Sequence, residues 1–287
     1  MCSVTVSDKP TASIVIPTFA APSYLEVTLA SVTPQARAAG AEVIAVSDGP
    51  DAPTAAVAEH HGARLVALPE QRGLNAARNA GIEAARSDLI VFIDQDVDAP
   101  AGWLDAMLAG ARKNPDCEVF AGRIRARLEG GPRGCGREPP PITTLDAGSE
   151  DRDVPLAWGA NMAIRRSAFE RLGAFDEGLH GRGNEDEWEY RYTAAGGRIR
   201  YLARAVLDHR REHGDSRLTV LTRAAYGQGR EARRHDVRTG RTRPIRTELR
   251  ILAGCAWHTV RRRCAYGIVM GARTAGSLRQ ALAERRL

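Results

Sequence analysis

Lysine is almost missing from this sequence: Lys9 and Lys113 stand against 39 arginines. Cysteine is sparse and unpatterned. Cys2, Cys117, Cys135, Cys255 and Cys264 form no C-x-x-C pair and make an odd total. That argues against a disulfide framework, and the expectation is free thiols in a reducing compartment with no zinc site. No stretch approaches the roughly eighteen uninterrupted apolar residues of a membrane span. The opening MCSVTVSDKP has neither a basic nor an apolar signal region, so no secretory signal is expected. The location that follows is cytoplasmic, with a peripheral seat at the inner face of the membrane as its variant. Two phosphate-binding signatures are missing as well. No G-x-G-x-x-G follows the first apolar strand, and there is no G-x-x-x-x-G-K-[ST]. A bound phosphate would need something other than a glycine cradle to neutralise it.

What is present is unevenly charged. Residues 198–287 carry 22 arginines and 7 acids, whereas residues 1–197 carry 19 basic and 28 acidic groups. An acidic body thus precedes a basic tail. The arginines are scattered, with a block only at Arg261–Arg263, and this reads as a solvated helical surface, so no nucleic-acid partner is expected. Before the tail, apolar strands alternate with helical patterns. ASIVIPTF, AEVIAVSDG, ARLVALP and DLIVFIDQD read as strands. SYLEVTLASVTPQA, with Ser23 as N-cap, PTAAVAEHHG and LNAARNAGIEAARS read as helices between them. This alternation predicts an α/β fold, a mostly parallel sheet with helices on both faces. Ligands of such sheets gather at the carboxyl ends of the strands.

Those ends are polar here. Pro17-Thr18 closes the first strand, Asp48 the second, and Asp94, Asp96 and Asp98 follow the fourth at every second position. Burying an ionised carboxylate without a partner is costly, so these groups must face water, a cation or both. Turn-forming aspartates ahead of Pro100 are the plain alternative. Convergence of polar residues from separate strands on one edge favours a site. Paired carboxylates that hold Mg²⁺ or Mn²⁺ would supply the missing phosphate neutralisation, because the metal bridges diphosphate oxygens.

Six blocks, in order, carry a family resemblance: SIVIPTF, VIAVSDG, RGLNAARNAGIEAA, DLIVFIDQDVDAPAGWL, WGANMAIRRSAFERLGAFDE and GNEDEWEYRYTAAGGRIRY. Over about residues 11 to 212 the chain resembles the inverting family 2 glycosyltransferases of the GT-A fold. The resemblance implies a Rossmann-like nucleotide-binding sheet with a smaller acceptor-side mixed sheet. It also implies a nucleoside diphosphate sugar donor, a divalent metal and transfer with inversion. By position, Pro17, Thr18, Phe19 and Asp48 would line the nucleoside pocket. Asp94 would sit near the ribose, Asp96 would bind the metal as the last residue of the D-x-D motif, and Arg78 would help hold the nucleotide. Ser47 departs from the family, whose second strand often ends in two acids. Asp186 matches the base of the family's E-D motif, with Glu185 supporting the acceptor site. His209 occupies the place of a histidine that some members use on the metal, a surface histidine being the alternative.

The remaining readings come from local chemistry. Glu187 and Glu189 read as acids at a helix start. Gly159 allows close backbone approach, Asn161 could bond a sugar hydroxyl, and Trp158 could stack on a sugar or serve the core. Arg182, in a glycine-flanked loop, is a candidate for leaving-group assistance or a plain surface arginine. His60, His61, His235 and His258 have no such context. The expected division is a glycosyltransferase domain over 11–214 and a basic helical extension over 215–287. The domain has a nucleotide-sugar half at 11–130, a mobile loop or surface insertion at 129–153 and an acceptor half at 151–214. The extension would pack on the domain, pair with a second copy or rest on a membrane, and glycines at 267, 271 and 276 argue against one continuous helix there. The acceptor is unreadable: a glycan, a lipid-linked sugar or a small natural product. Two other classes compete, a metal-dependent sugar nucleotidyltransferase and a non-catalytic nucleotide-sugar or nucleic-acid-binding module.

Overall fold

The computed structural model describes residues 9–132, 134–136, 140–179, 184–238, 240 and 242–284, with the side chains of 235 and 238 also outside that description. Arg182, the candidate for leaving-group assistance, lies outside the described residues, as does part of the 129–153 segment. The chain divides into two compact units. One comprises Met1–Arg125, Leu145–Gly178 and Glu185–His209; the other comprises Ala126–Thr144, Leu179–Asn184 and Arg210–Leu287.

The first half of the chain runs β1 (Ser13–Thr18), α1 (Pro22–Ala39), β2 (Glu42–Ser47), α2 (Ala52–His61), β3 (Arg64–Ala67), α3 (Leu74–Ala84), β4 (Leu89–Ile93), β5 (Val97–Asp98) and α4 (Trp103–Lys113). Then come β6 (Val119–Leu128), β7 (Arg152–Val154), β8 (Asn161–Arg165), α5 (Arg166–Leu172), α6 (Asp186–Ala194), β9 (Ile199–Arg211), α7 (Leu218–Arg238), α8 (Ile245–Arg262) and α9 (Ala265–Glu284). The sheet order is β3-β2-β1-β4-β8-β6-β9-β5, with β7 paired to β9. β1 through β4 are mutually parallel where they pair, and β8 enters antiparallel beside β4. The sheet is therefore a parallel half, β3-β2-β1-β4, continued by a half that β8 enters antiparallel.

Alternation along the strands builds a core on each face. Ile14, Ile16, Ala45, Val91 and Ile93 pack with Leu25, Leu29 and Val32 of α1 and with Trp103, Leu104 and Met107 of α4. Val15, Ile44, Val46, Ile90 and Phe92 pack with α3, α5 and α6 on the other face. The period of two sends successive strand residues to opposite sides, which is why β4 and the middles of β1 and β2 are apolar on both faces, whereas β3 at the sheet edge starts at exposed Arg64. Ser23 is not the N-cap of α1. The helix already begins at Pro22, with Ala21 before it, because a proline suits the first helical position, where no N–H is needed. Part of the expected mobile segment is stitched to the sheet. Leu145 bridges Ile124, the Tyr201 hydroxyl donates to the Gly148 carbonyl (3.1 Å), and β7 joins β9.

In the second unit α7 and α8 both pack on α9. The break between α8 and α9 falls at Arg263, in the left-handed region at φ 49, and not at the glycines. Gly267, Gly271 and Gly276 lie inside α9. A Cβ at Gly276 would strike the Tyr226 carbonyl of α7, and one at Gly229 would strike the Arg273 carbonyl. These two glycines let the helix backbones approach closely. Among the described residues no helix is long and apolar enough to cross a membrane.

Candidate functional site

Three groups meet at the carboxyl end of β4. β5 pairs antiparallel with β9 in a register that sets Val97 opposite His209, so the imidazole arrives beside the turn Asp94-Gln95-Asp96. His209 Nε2 lies 3.2 Å from Asp96 Oδ1, and ligand atoms of Asp94, Asp96 and His209 all lie within 4.8 Å of one another. Burial, and then the neighbouring Asp96 carboxylate, push the Asp94 carboxyl above its ordinary value; His209 and Arg78 pull the other way. Two carboxylates crowded together in a partly dry site repel, and a cation relieves exactly that kind of repulsion. Two carboxylate oxygens and one imidazole nitrogen make a donor set that could hold a divalent cation.

Gln95, which sequence reading passed over, ties this turn to β1. Its Oε1 accepts from the Thr18 hydroxyl (2.6 Å) and from the Phe19 amide (2.9 Å). The Thr28 hydroxyl of α1 lies 2.7 and 2.8 Å from the carbonyls of Gln95 and Val97, and accepts the Val97 amide. Pro17 and Thr18 are buried at the end of β1, while Phe19 is half exposed. Ala20 follows at φ 46, a conformation sparsely used by residues other than glycine. Asp48, at the end of β2, is buried and accepts from the backbone N–H groups of Arg72 (2.7 Å) and Gly73 (3.0 Å) at the entry to α3. Its charge is thereby used to fix that entry.

A second constellation surrounds Arg78 on α3. Its Nη1 donates to Asn75 Oδ1 (3.2 Å) and lies 3.4 Å from Glu185 Oε2, and the guanidinium stands over the Phe175 ring. Glu185 also accepts the Gly159 amide at 3.2 Å. Gly159 lets the chain pass close to this guanidinium: a Cβ there would stand 2.0 Å from Arg78 Nη2, and the side chain would have to shift. Asp186 opens α6, half-buried, directly after Glu185. Glu187 behaves as a helix-start acid, pairing with Arg191 one turn on at 2.7 Å. Glu189 does not: it is fully buried and accepts the Ala157 amide (3.0 Å). Burial foremost, then Glu185 and Asp186, push its carboxyl well above the ordinary range against the pull of that amide and Arg78.

Two sugar-binding expectations fare differently. Trp158 is half-buried in the loop before β8 and belongs to neither core cluster. Asn161 is fully buried, with its amide group committed to the fold. Its Nδ2 donates to the carbonyls of Arg123 (3.0 Å) and Ala205 (2.8 Å), and its Oδ1 accepts the Trp103 indole N–H (3.0 Å). Asn161 is therefore a strut between strands and α4, and its amide leaves no donor for a sugar. Histidines without sequence context also acquire neighbours. His61 Nε2 meets Glu26 Oε1 at 2.8 Å beside His60, and His258 meets Cys135 and Cys264.

A mixed sheet with an Asp-x-Asp turn after β4, and His209 of β9 brought beside that turn, has a GT-A-like architecture. The sequence signature of Glycosyl transferase family 2 matches residues 13–173, and the chain belongs to that family. A pre-mycofactocin glycosyltransferase of Mycobacterium tuberculosis is 32% identical over 199 residues, covering 66% of this chain and 41% of that protein. A glucosyl-dolichyl phosphate glucuronosyltransferase of Haloferax volcanii is 23% identical over 185 residues, covering 58% and 57%. This chain thus spans about two fifths of the mycobacterial relative. A solved mannosyltransferase of Pyrobaculum calidifontis, in complex with GDP-Man and Mn²⁺, superposes with a TM-score of 0.57 at 17% identity, covering 96% of this chain and 76% of that one.

Proposed function

We propose that this chain moves a sugar from a nucleoside diphosphate sugar to an acceptor hydroxyl or amine with inversion, using Mn²⁺ or Mg²⁺ held by Asp96 and His209 beside Asp94. The observation that carries the reading is the meeting of Asp94, Asp96 and His209 at the end of β4. When bound, the cation neutralises the diphosphate and the charge that develops on it as it leaves. Thr18, Phe19 and Asp48 line the nucleoside side, Asp94 faces the ribose, and Arg78 with Gly159 borders the diphosphate. Trp158 offers a ring to the sugar. The acceptor oxygen forms its bond to the anomeric carbon as the bond to the diphosphate breaks on the opposite face, and the acceptor proton passes to the Asp186 carboxylate. Glu185, engaged by Arg78 and the Gly159 amide, holds Asp186 in place.

The solved mannosyltransferase makes GDP-mannose the first donor to try. A panel of nucleotide sugars with Mn²⁺ and simple acceptors tests the reading. Release of nucleoside diphosphate from one donor supports transfer; release of pyrophosphate from a nucleotide triphosphate and a sugar phosphate would make the chain a nucleotidyltransferase instead.

An anionic membrane surface is the partner favoured for α8. Leu249, Ala253, Ala256, Trp257 and Val260 share one stripe, and Leu249, Trp257 and Val260 are 51%, 69% and 79% exposed. Exposed Arg246, Arg250 and Arg261 flank it, the arrangement by which a basic amphipathic helix lies at a lipid interface. Cosedimentation with phosphatidylglycerol but not phosphatidylcholine vesicles, lost in Trp257→Asp, supports this. Self-association through the same face without lipid binding would replace it.

A further inference from the structure

We propose that Cys135, His258 and Cys264 hold a zinc ion. Cys135 is far in sequence from His258 and Cys264, so no short C-x-x-C spacing announces the set, yet the three ligand atoms lie within 4.8 Å of one another. Cys135 Sγ is 3.3 Å from His258 Nε2. A tetrahedral zinc centre, with Zn–S near 2.3 Å and Zn–N near 2.0–2.1 Å, needs its donors about 3.5–3.8 Å apart. The cluster is therefore already close to the size of that cage.

The backbone is built to bring the ligands in. Cys135 stands between two glycines. A Cβ at Gly134 would strike the Tyr266 ring, and Gly136 is left-handed at φ 73. On the other side the chain reverses between α8 and α9 at Arg263, in the left-handed region, and Cys264 comes directly after it, buried. The Cys264 amide donates to the Thr259 carbonyl (3.3 Å), one residue beyond His258. This turn therefore sets a histidine and a cysteine side by side, and the glycine-flanked loop lays the second cysteine on them. No disulfide joins the two thiols.

The donor chemistry selects the metal. Two thiolates and an imidazole are soft to borderline ligands, which favour Zn²⁺ over the Mn²⁺ or Mg²⁺ proposed for the Asp94, Asp96 and His209 set. Two thiolates also cancel the charge of a divalent ion, so the centre adds no net charge to an arginine-rich segment that includes Arg261–Arg263. Three protein ligands leave the fourth tetrahedral position to water. The consequence is a clamp fastening residues around Cys135 to the α8–α9 turn, inside the second unit and separate in sequence and chemistry from the carboxylate site.

The full chain, purified in reductant without strong chelator, tests this by metal analysis. About one zinc per chain is expected, retained in Asp96→Ala and lost in Cys135→Ser. Because Cys264 is buried and its replacement endangers folding, Cys135→Ser is the deciding variant. Cobalt offered to chelator-treated protein should give a thiolate-to-cobalt absorption band in the wild type that Cys135→Ser weakens. Zinc affinity in that variant should fall by at least about 10–100-fold, the loss caused even by outer partners of a metal. Absence of any thiolate–cobalt band overturns the proposal. So does zinc that disappears with Asp96→Ala and survives Cys135→Ser, or a Cys135–Cys264 disulfide in protein isolated without reductant.

Discussion

Replacing Arg78 by methionine should destabilise the fold by about 3–4 kcal/mol. The guanidinium and the Glu185 carboxylate are 2% and 8% exposed, so solvent screens their interaction little. Removing one member of a buried pair costs about 3–5 kcal/mol, because the remaining charge is stranded. The 3.4 Å separation, and the Gly159 amide that Glu185 keeps, place the loss at the lower end of that range. The Phe175 contact adds about 0.5–1 kcal/mol. Urea denaturation of wild type, Arg78→Met, Glu185→Gln and the double variant forms a complete cycle. Glu185→Gln should rescue part of the loss, since the stranded carboxylate is then gone. A loss below about 1 kcal/mol in Arg78→Met, or a double variant no better than the sum of the singles, would show that this pair is not coupled as its geometry demands.

Other perturbations separate the roles of the neighbouring acids. Asp186→Asn should lower turnover about 10²–10⁴-fold, the usual contribution of a general base, while metal-dependent donor binding survives; Glu187→Gln, tied to Arg191, should lose far less. Loss of donor binding in Asp186→Asn would remove it from the base role. Glu189 is raised above its ordinary value of 4.5 in the fold, so the folded state holds its proton more tightly than the unfolded one. Its contribution is full below pH 4.5 and is lost as pH rises through the folded value. Glu189→Gln should therefore gain stability over wild type as pH rises from 4 to 8 and match it in acid; parallel pH profiles would refute the burial argument. His209→Ala should weaken Mn²⁺ affinity roughly 10–100-fold, and an unchanged metal titration would make His209 a bystander.

The sheet was legible because β1, β2 and β4 are apolar runs that end abruptly in polar residues, and period and punctuation are local signals. The Asp-x-Asp turn was legible for the same reason: three acids after LIVFI have few places to go. What escaped was set by partners far along the chain. Asn161 gives no local sign that Trp103, Arg123 and Ala205 will use its amide. Glu189 follows the pattern of a helix-start acid, and only the packing of α6 turns it inward. Gln95 sat in plain view between two aspartates, and its inert amide drew no chemical expectation. Cys135, His258 and Cys264 are more than a hundred residues apart at their widest, and only the fold brings them together.

Calorimetric titration of the nucleotide-sugar donor into wild type and Asp96→Ala, each with Mn²⁺ and with excess chelator, bears most directly on the assigned chemistry. Wild type should bind with Mn²⁺ and lose that binding in chelator, and Asp96→Ala should bind weakly in both. Equal binding by the two proteins, or binding and transfer by wild type untouched by chelator, would contradict a metal-dependent transferase centred on Asp96.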